Sequence, residues 1–163
     1  MTINILVLCT GNSARSILGE ALFNHLGQGR IRAFSAGSQP AGQVNPVALE
    51  ILAKHGIALP EARSKSWNEF AAPGAPVIDY IFTVCASAAG ETCPIWPGHP
   101  TTAHWGIADP AHVEPLAARQ AAFERAYQLL RQRVEAFLQL PLETMSAAEI
   151  KAAAQRIHQE CEQ

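Results

Sequence analysis

The sequence has no block of like charges, no apolar run long enough to cross a membrane, no paired cysteine spacing of the zinc type and only two aspartates. Each absence removes a class of function. Without a basic stripe, and with a formal net charge of −2, neither nucleic acid nor an anionic membrane surface has an electrostatic footprint to meet. A transmembrane helix needs roughly 18 or more consecutive apolar residues, and none is present. The first eight residues, from Met1 through Ile3 and Val7 to Leu8, carry neither a basic leader nor a small-residue cleavage site, so a soluble cytoplasmic protein is expected. The four cysteines, Cys9, Cys85, Cys93 and Cys161, then read as thiols rather than structural disulfides, because the cytosol keeps thiols reduced. With the histidines scattered, no metal site and no bound cofactor is expected. No repeat and no linker divides the 163 residues. One domain is expected, with a core over 1–140 and a C-terminal helical extension over 141–163, in a monomer.

What is present is an alternation of strand-like and helix-like stretches. Residues 3–8 form a β-branched and aliphatic run, the pattern of a strand buried on both faces. Residues 17–26 place Leu18, Leu22 and Leu26 at helical steps, with Gly27 as a stop. A second strand is read over 30–36. A helix opens at Asn45-Pro46 and closes at His55-Gly56, with proline in the favoured first turn. Residues 77–85 read as a central strand. Residues 86–115 hold five prolines, three glycines and two tryptophans, and are read as one long functional loop. The stripe Phe123, Ala126, Tyr127, Leu130, Val134, Phe137 predicts a helix over 116–138 that Pro141 ends. Ser146-Ala147-Ala148-Glu149 has the form of a capping box for a last helix that docks on the domain. The order predicts a three-layer α/β sandwich with a parallel sheet.

Parallel sheets bind ligands at the carboxyl ends of their strands, and Cys9 lies at such an end. The residues after it, Thr10, Gly11, Asn12, Ser13 and Ala14, are small enough for backbone N–H groups to curl around an oxyanion. The next helix aims its positive end at the same point. Arg15, six residues beyond Cys9, can fork two donors onto the anion. A thiol in that positive field gives up its proton readily and becomes the nucleophile. Ser16 can cap the helix or hydrogen-bond the sulfur.

The segment Cys9-Thr10-Gly11-Asn12-Ser13-Ala14-Arg15-Ser16 resembles the signature loop of the low-molecular-weight tyrosine phosphatase superfamily, which includes the arsenate reductases coupled to thioredoxin. The resemblance runs over residues 3–140, and Ser35-Ala36-Gly37 and Asn45-Pro46 share in it. It implies a four-stranded parallel sheet flanked by helices. It also implies that an Asp-Pro pair supplies the general acid, which lands on Asp109-Pro110. Asp79, at the start of a strand and at the far end from Cys9, suits a surface or capping role instead. Trp105 is expected to shield the site from water.

Three further features turn the resemblance toward arsenate reduction. Cys85 ends a predicted strand at the sheet edge expected to carry Cys9, and Cys93 follows across a small, pliable segment. A second thiol that attacks a thiolate–arsenic adduct at sulfur expels arsenite and leaves a disulfide, and a third can move that disulfide outward for a partner to reduce. The phosphatase branch usually has an aromatic residue directly after the Asp-Pro pair, whereas Ala111 and His112 follow here. The implied substrate is arsenate, and the implied electron donor is thioredoxin, with a glutaredoxin–glutathione system second. The rival readings are a phosphatase using the same loop and a non-catalytic oxyanion or redox sensor. Asn12, Glu20 and Ser35 match positions that hold a monovalent cation in some relatives, while Ser66 stands where those have an acidic ligand.

Overall fold

The computed structural model describes residues 2–59, 62–84 and 101–160. Strand β1 (Ile3–Cys9) leads into α1 (Arg15–Leu26), then β2 (Ile31–Gly37) and α2 (Pro46–Lys54). After a 3-10 turn (Trp67–Phe70) come β3 (Tyr80–Thr83), β4 (Thr101–His104), α3 (Leu116–Leu138) and α4 (Ala147–Glu160). The strands form one sheet in the order β2-β1-β3-β4, and its three pairings are all parallel.

Strand β1 lies inside the sheet, and its alternate side chains feed two cores. Ile5 and Val7 pack with Phe23, Phe82 and Phe137 under the helices, while Leu6 and Leu8 pack with Trp67, Phe70 and Ile81 on the other face. This double burial is why the run lacks a polar alternation. The predicted stripe of α3 is buried along its length, and the capping box forms, with Ser146 N donating to Glu149 Oε1 at 2.8 Å and Glu149 N to Ser146 Oγ at 3.2 Å. Asn45 caps α2 by accepting from Val47 N at 2.9 Å.

Three expectations need correction. The strand read over 77–85 is regular only over Tyr80–Thr83, because the residues before it are tied across to Asn4: Asn4 Nδ2 donates to the Val77 carbonyl at 2.7 Å, and Asn4 N to Asp79 Oδ2 at 2.8 Å. Asp79 therefore closes the end of the sheet opposite Cys9. The stretch 86–115 is not all loop, since Thr101–His104 forms the edge strand β4. At four residues, with Ala103 alone fully buried, that strand is too short and too polar to register as a hydrophobic pattern.

Trp105 is the third. It is 1% exposed, stacks on Phe23, lies tilted against Phe82, meets Phe137 edge-on, and donates its indole N–H to the Ala154 carbonyl at 2.8 Å. It is a pillar of the core that anchors α4, and it does not shield the cavity at Cys9. His104, from the same segment, hydrogen-bonds Thr83 Oγ1 through Nδ1 at 2.8 Å.

Candidate active site

Cys9 is the last residue of β1 and Arg15 the first of α1, so residues 10–14 must reverse the chain between them. The sharpest point is Asn12, a fully buried residue in the left-handed region at φ +46°, which asparagine tolerates better than most side chains. That turn brings Asn12 N–H to 3.2 Å from Cys9 Sγ. Ser16 Oγ lies 2.9 Å from the same sulfur and accepts from Asn12 Nδ2 at 2.8 Å, which leaves the serine proton available to the sulfur. The two roles weighed for Ser16 are thereby separated: α1 has no side-chain cap, and the hydroxyl serves the sulfur. The Asn12 amide is oriented by Lys65 N, which donates to Asn12 Oδ1 at 2.9 Å.

The loop carbonyls are engaged from outside. Thr10 O accepts from Gln39 N at 2.9 Å, Gly11 O from Ala41 N at 2.9 Å and Ser64 Oγ at 3.0 Å, and Ser13 O from Asn45 N at 2.8 Å. Because C=O and N–H point in opposite directions across a trans peptide, these bonds turn the following N–H groups toward the cavity. Gly37, opposite Cys9 in the β1–β2 register, makes room for the turn. A Cβ there would stand 2.5 Å from Thr10 O and 3.0 Å from Asn12 N, both backbone atoms. Gly37→Ala is therefore expected to displace the loop and lower kcat/KM on any oxyanion substrate by about 100-fold while the protein still folds. Steady-state kinetics beside a thermal melt check this.

The cavity over the loop measures about 370 Å³ and is lined by Cys9, Thr10, Arg15, Asn45, Asp109 and His112, among others. Asp109 reaches it because the chain leaves β4 at the carboxyl edge, where Trp105 N donates to Thr83 O at 2.7 Å and Ile107 N to Val84 O at 3.1 Å. Arg15 Nη1 donates to the Ile107 carbonyl at 3.0 Å, and Nη2 lies 3.5 Å from Asp109 Oδ2. With the Asp109 side chain 41% exposed, that ion pair is weak and readily exchanged for a tetrahedral anion. Asp109 itself is braced by Ala111 N, which donates to Oδ1 at 3.0 Å. The site thus offers a sulfur with two donors, a ring of amides, a helix N-terminus, a fork-shaped cation and a carboxyl group at the mouth. That set suits nucleophilic attack by sulfur on a tetrahedral oxyanion.

The low molecular weight phosphotyrosine protein phosphatase family profile matches residues 4–159. The chain belongs to that family. Among its relatives, an arsenate reductase of Bacillus licheniformis is 34% identical over 135 residues, covering 82% of this chain and 93% of the relative. Two solved structures frame the fold. An arsenate reductase from Archaeoglobus fulgidus superposes with a TM-score of 0.59 at 26% identity, covering 80% of this chain and 98% of that one. The tyrosine phosphatase Wzb from Escherichia coli K30, solved in complex with sulphate, gives 0.68 at 26% identity, covering 85% and 98%. Family membership accounts for the parallel sheet and for a loop of this form at the end of β1.

Within that family frame, several neighbours of the loop carry no sequence signal of their own. Lys65, Ser64 and the Ile107 carbonyl act through tertiary hydrogen bonds, whereas Gly37 and Asn45 sit in stretches that resemble relatives. Cys85, Cys93, His99 and Cys161 lie outside the described residues. Val84 is described, and its N–H donates to the Leu8 carbonyl at 2.9 Å, so position 84 runs beside the end of β1. Among the described residues, no cluster of three or more His, Cys, Asp or Glu side chains could hold a metal ion, and no helix is long and apolar enough to cross a membrane.

The positions that match a monovalent cation site do not fit one here. Glu20 Oε1 accepts a short hydrogen bond from Ser35 Oγ, and the Lys65 ammonium lies 3.9 Å from the same oxygen. Asn12 Oδ1 is taken by Lys65 N, and Ser66 Oγ accepts from Asn68 N at 3.1 Å as the cap of the 3-10 turn. Burial pushes the Glu20 carboxyl above its usual range, against the Ser35 bond and Lys65, and burial likewise pulls Lys65 down against the attraction of Glu20. The cation beside Glu20 is an amino group of the chain itself.

Proposed function

We propose that this protein reduces arsenate to arsenite through a cysteine relay, in the cytoplasm and as a single domain. Cys9 attacks arsenic while the amides of residues 10–16 and the Arg15 guanidinium hold the oxyanion. Asp109 gives its proton to the departing hydroxide, which leaves as water. The Cys85 thiolate then attacks the Cys9 sulfur, the S–As bond breaks, and its electron pair leaves with arsenic as arsenite, As(V) having become As(III). Cys93 attacks Cys85 and releases Cys9. The resulting Cys85–Cys93 disulfide is reduced by thioredoxin, or by glutaredoxin with glutathione.

The observation that carries this reading is the Cys9 sulfur, with Asn12 N–H and Ser16 Oγ on it, at the floor of a cavity with Arg15 and Asp109 at its mouth. The choice of arsenate over a phosphate ester is supported by relatives that are arsenate reductases at over 30% identity, and by a cavity lined, among the described residues, by Ala41, Ala111 and His112 and by no Phe, Tyr or Trp. The deciding assay is arsenate-dependent NADPH consumption with a reconstituted thioredoxin or glutaredoxin system, beside hydrolysis of an aryl phosphate. Arsenate-dependent consumption is the expected result. Hydrolysis without it would assign the chain to the phosphatase branch.

A further inference from the structure

A lysine ammonium is rarely buried, because taking it out of water is costly unless something in the fold requires it there. The Lys65 side chain is 9% exposed, against 64% for Lys54. Its ammonium donates to the Arg63 carbonyl at 3.0 Å and faces Glu20, a carboxylate half-way along α1 that is bonded to the fully buried Ser35. The other charges acting on this pair are Arg63 and Glu69, which are exposed and joined to each other. The backbone of Lys65 is equally committed. Its N–H holds Asn12 Oδ1, and its carbonyl accepts from Gly37 N at 2.9 Å. Asn12 in turn supports Ser16, and both Asn12 and Ser16 contact the Cys9 sulfur.

One residue thus joins a half-buried carboxylate to the loop that must hold two negative charges, the sulfur and the bound oxyanion. We propose that the Lys65 ammonium is a tethered monovalent cation that neutralises Glu20 behind the anion loop and thereby keeps the Asn12–Ser16–Cys9 chain in its binding geometry. Lys65 is a positioning residue and touches no substrate. Its removal leaves the half-buried Glu20 beside small oxygen donors, a set suited to a hard monovalent cation from solution. The full-length variant then acquires a cation requirement that the natural chain lacks.

This inference rests on the reading of residues 9–16 as an anion loop, and the test separates the two. Inorganic phosphate is titrated against iodoacetamide alkylation of Cys9, read by peptide mass spectrometry, in potassium chloride and in tetramethylammonium chloride at equal ionic strength. The natural protein is expected to be protected at the same phosphate concentration in both salts. Lys65→Met should need about tenfold more phosphate in tetramethylammonium and recover in potassium. Lys65→Arg should match the natural chain in both salts. The double variant Glu20→Gln with Lys65→Met, which keeps no buried charge and covers the case where Lys65→Met alone does not fold, should not distinguish the salts. Equal protection of Lys65→Met in both salts, a loss that potassium does not restore, or a potassium response in the natural chain or the double variant overturns the proposal. Failure of phosphate to protect the natural protein would instead sink the anion-loop reading, and the inference with it.

Discussion

Replacing Cys9 with serine is expected to lower arsenate turnover by a factor on the order of 10⁴ or more while oxyanion binding survives. The loss is large because a serine hydroxyl holds its proton near neutral pH and forms no bond to arsenic that a second thiol could attack at sulfur. The binding survives because a serine oxygen can take over the contacts that Asn12 N–H and Ser16 Oγ make to the sulfur. The loop carbonyls remain engaged by Gln39, Ala41, Ser64 and Asn45, so the amides keep their direction, and Arg15 keeps its place beside Asp109. Phosphate binding to Cys9→Ser, measured by calorimetry, should therefore lie within a few-fold of the natural chain. Arsenate-dependent NADPH consumption at the natural rate by this variant would remove Cys9 from the chemistry.

The relay cysteines should fail differently from Cys9 and from each other. Cys85→Ser can form the adduct at Cys9 but has no sulfur to attack it, so arsenite should not appear at all. Cys93→Ser should release one equivalent of arsenite per protein and stop, with Cys9 and Cys85 joined in a disulfide. Both variants should hydrolyse an aryl phosphate within a few-fold of the natural rate, since water can attack a cysteinyl-phosphate without either thiol. Quantifying arsenite under single-turnover conditions, beside the aryl phosphate assay, tests each step separately. Sustained turnover by Cys93→Ser would eliminate it from the mechanism, and turnover by Cys85→Ser would require attack by an external thiol.

The elements that were legible in the sequence are those whose pattern repeats over several residues. The β1 run, the i+4 leucines of α1 and the long stripe of α3 each bury a face many residues long, so the periodicity is written several times over. Strand β4 escaped because four edge residues with one buried side chain contain no repeat. Trp105, expected to shield the cavity, is a core residue hard to recognise for a related reason. Its neighbours Gly106, Asp109 and Pro110 are polar or turn-forming, and only the packing of Phe23, Phe82 and Phe137 against its ring shows that it belongs to the core.

The order of residues from Cys9 to Ser16 by itself determined that a sulfur, a run of small residues and a guanidinium would lie near one helix N-terminus, because so short a segment between a strand and a helix keeps them close together. Tertiary structure alone decided what stands around that loop. Gly37, Ser64, Lys65 and Asp109 arrive from three other segments, 21 or more positions after Ser16, and chain connectivity encodes no distance between residues so far apart. Their meeting depends on parallel strands ending at one edge of the sheet, where each strand's next residues must turn over the same few ångströms of space.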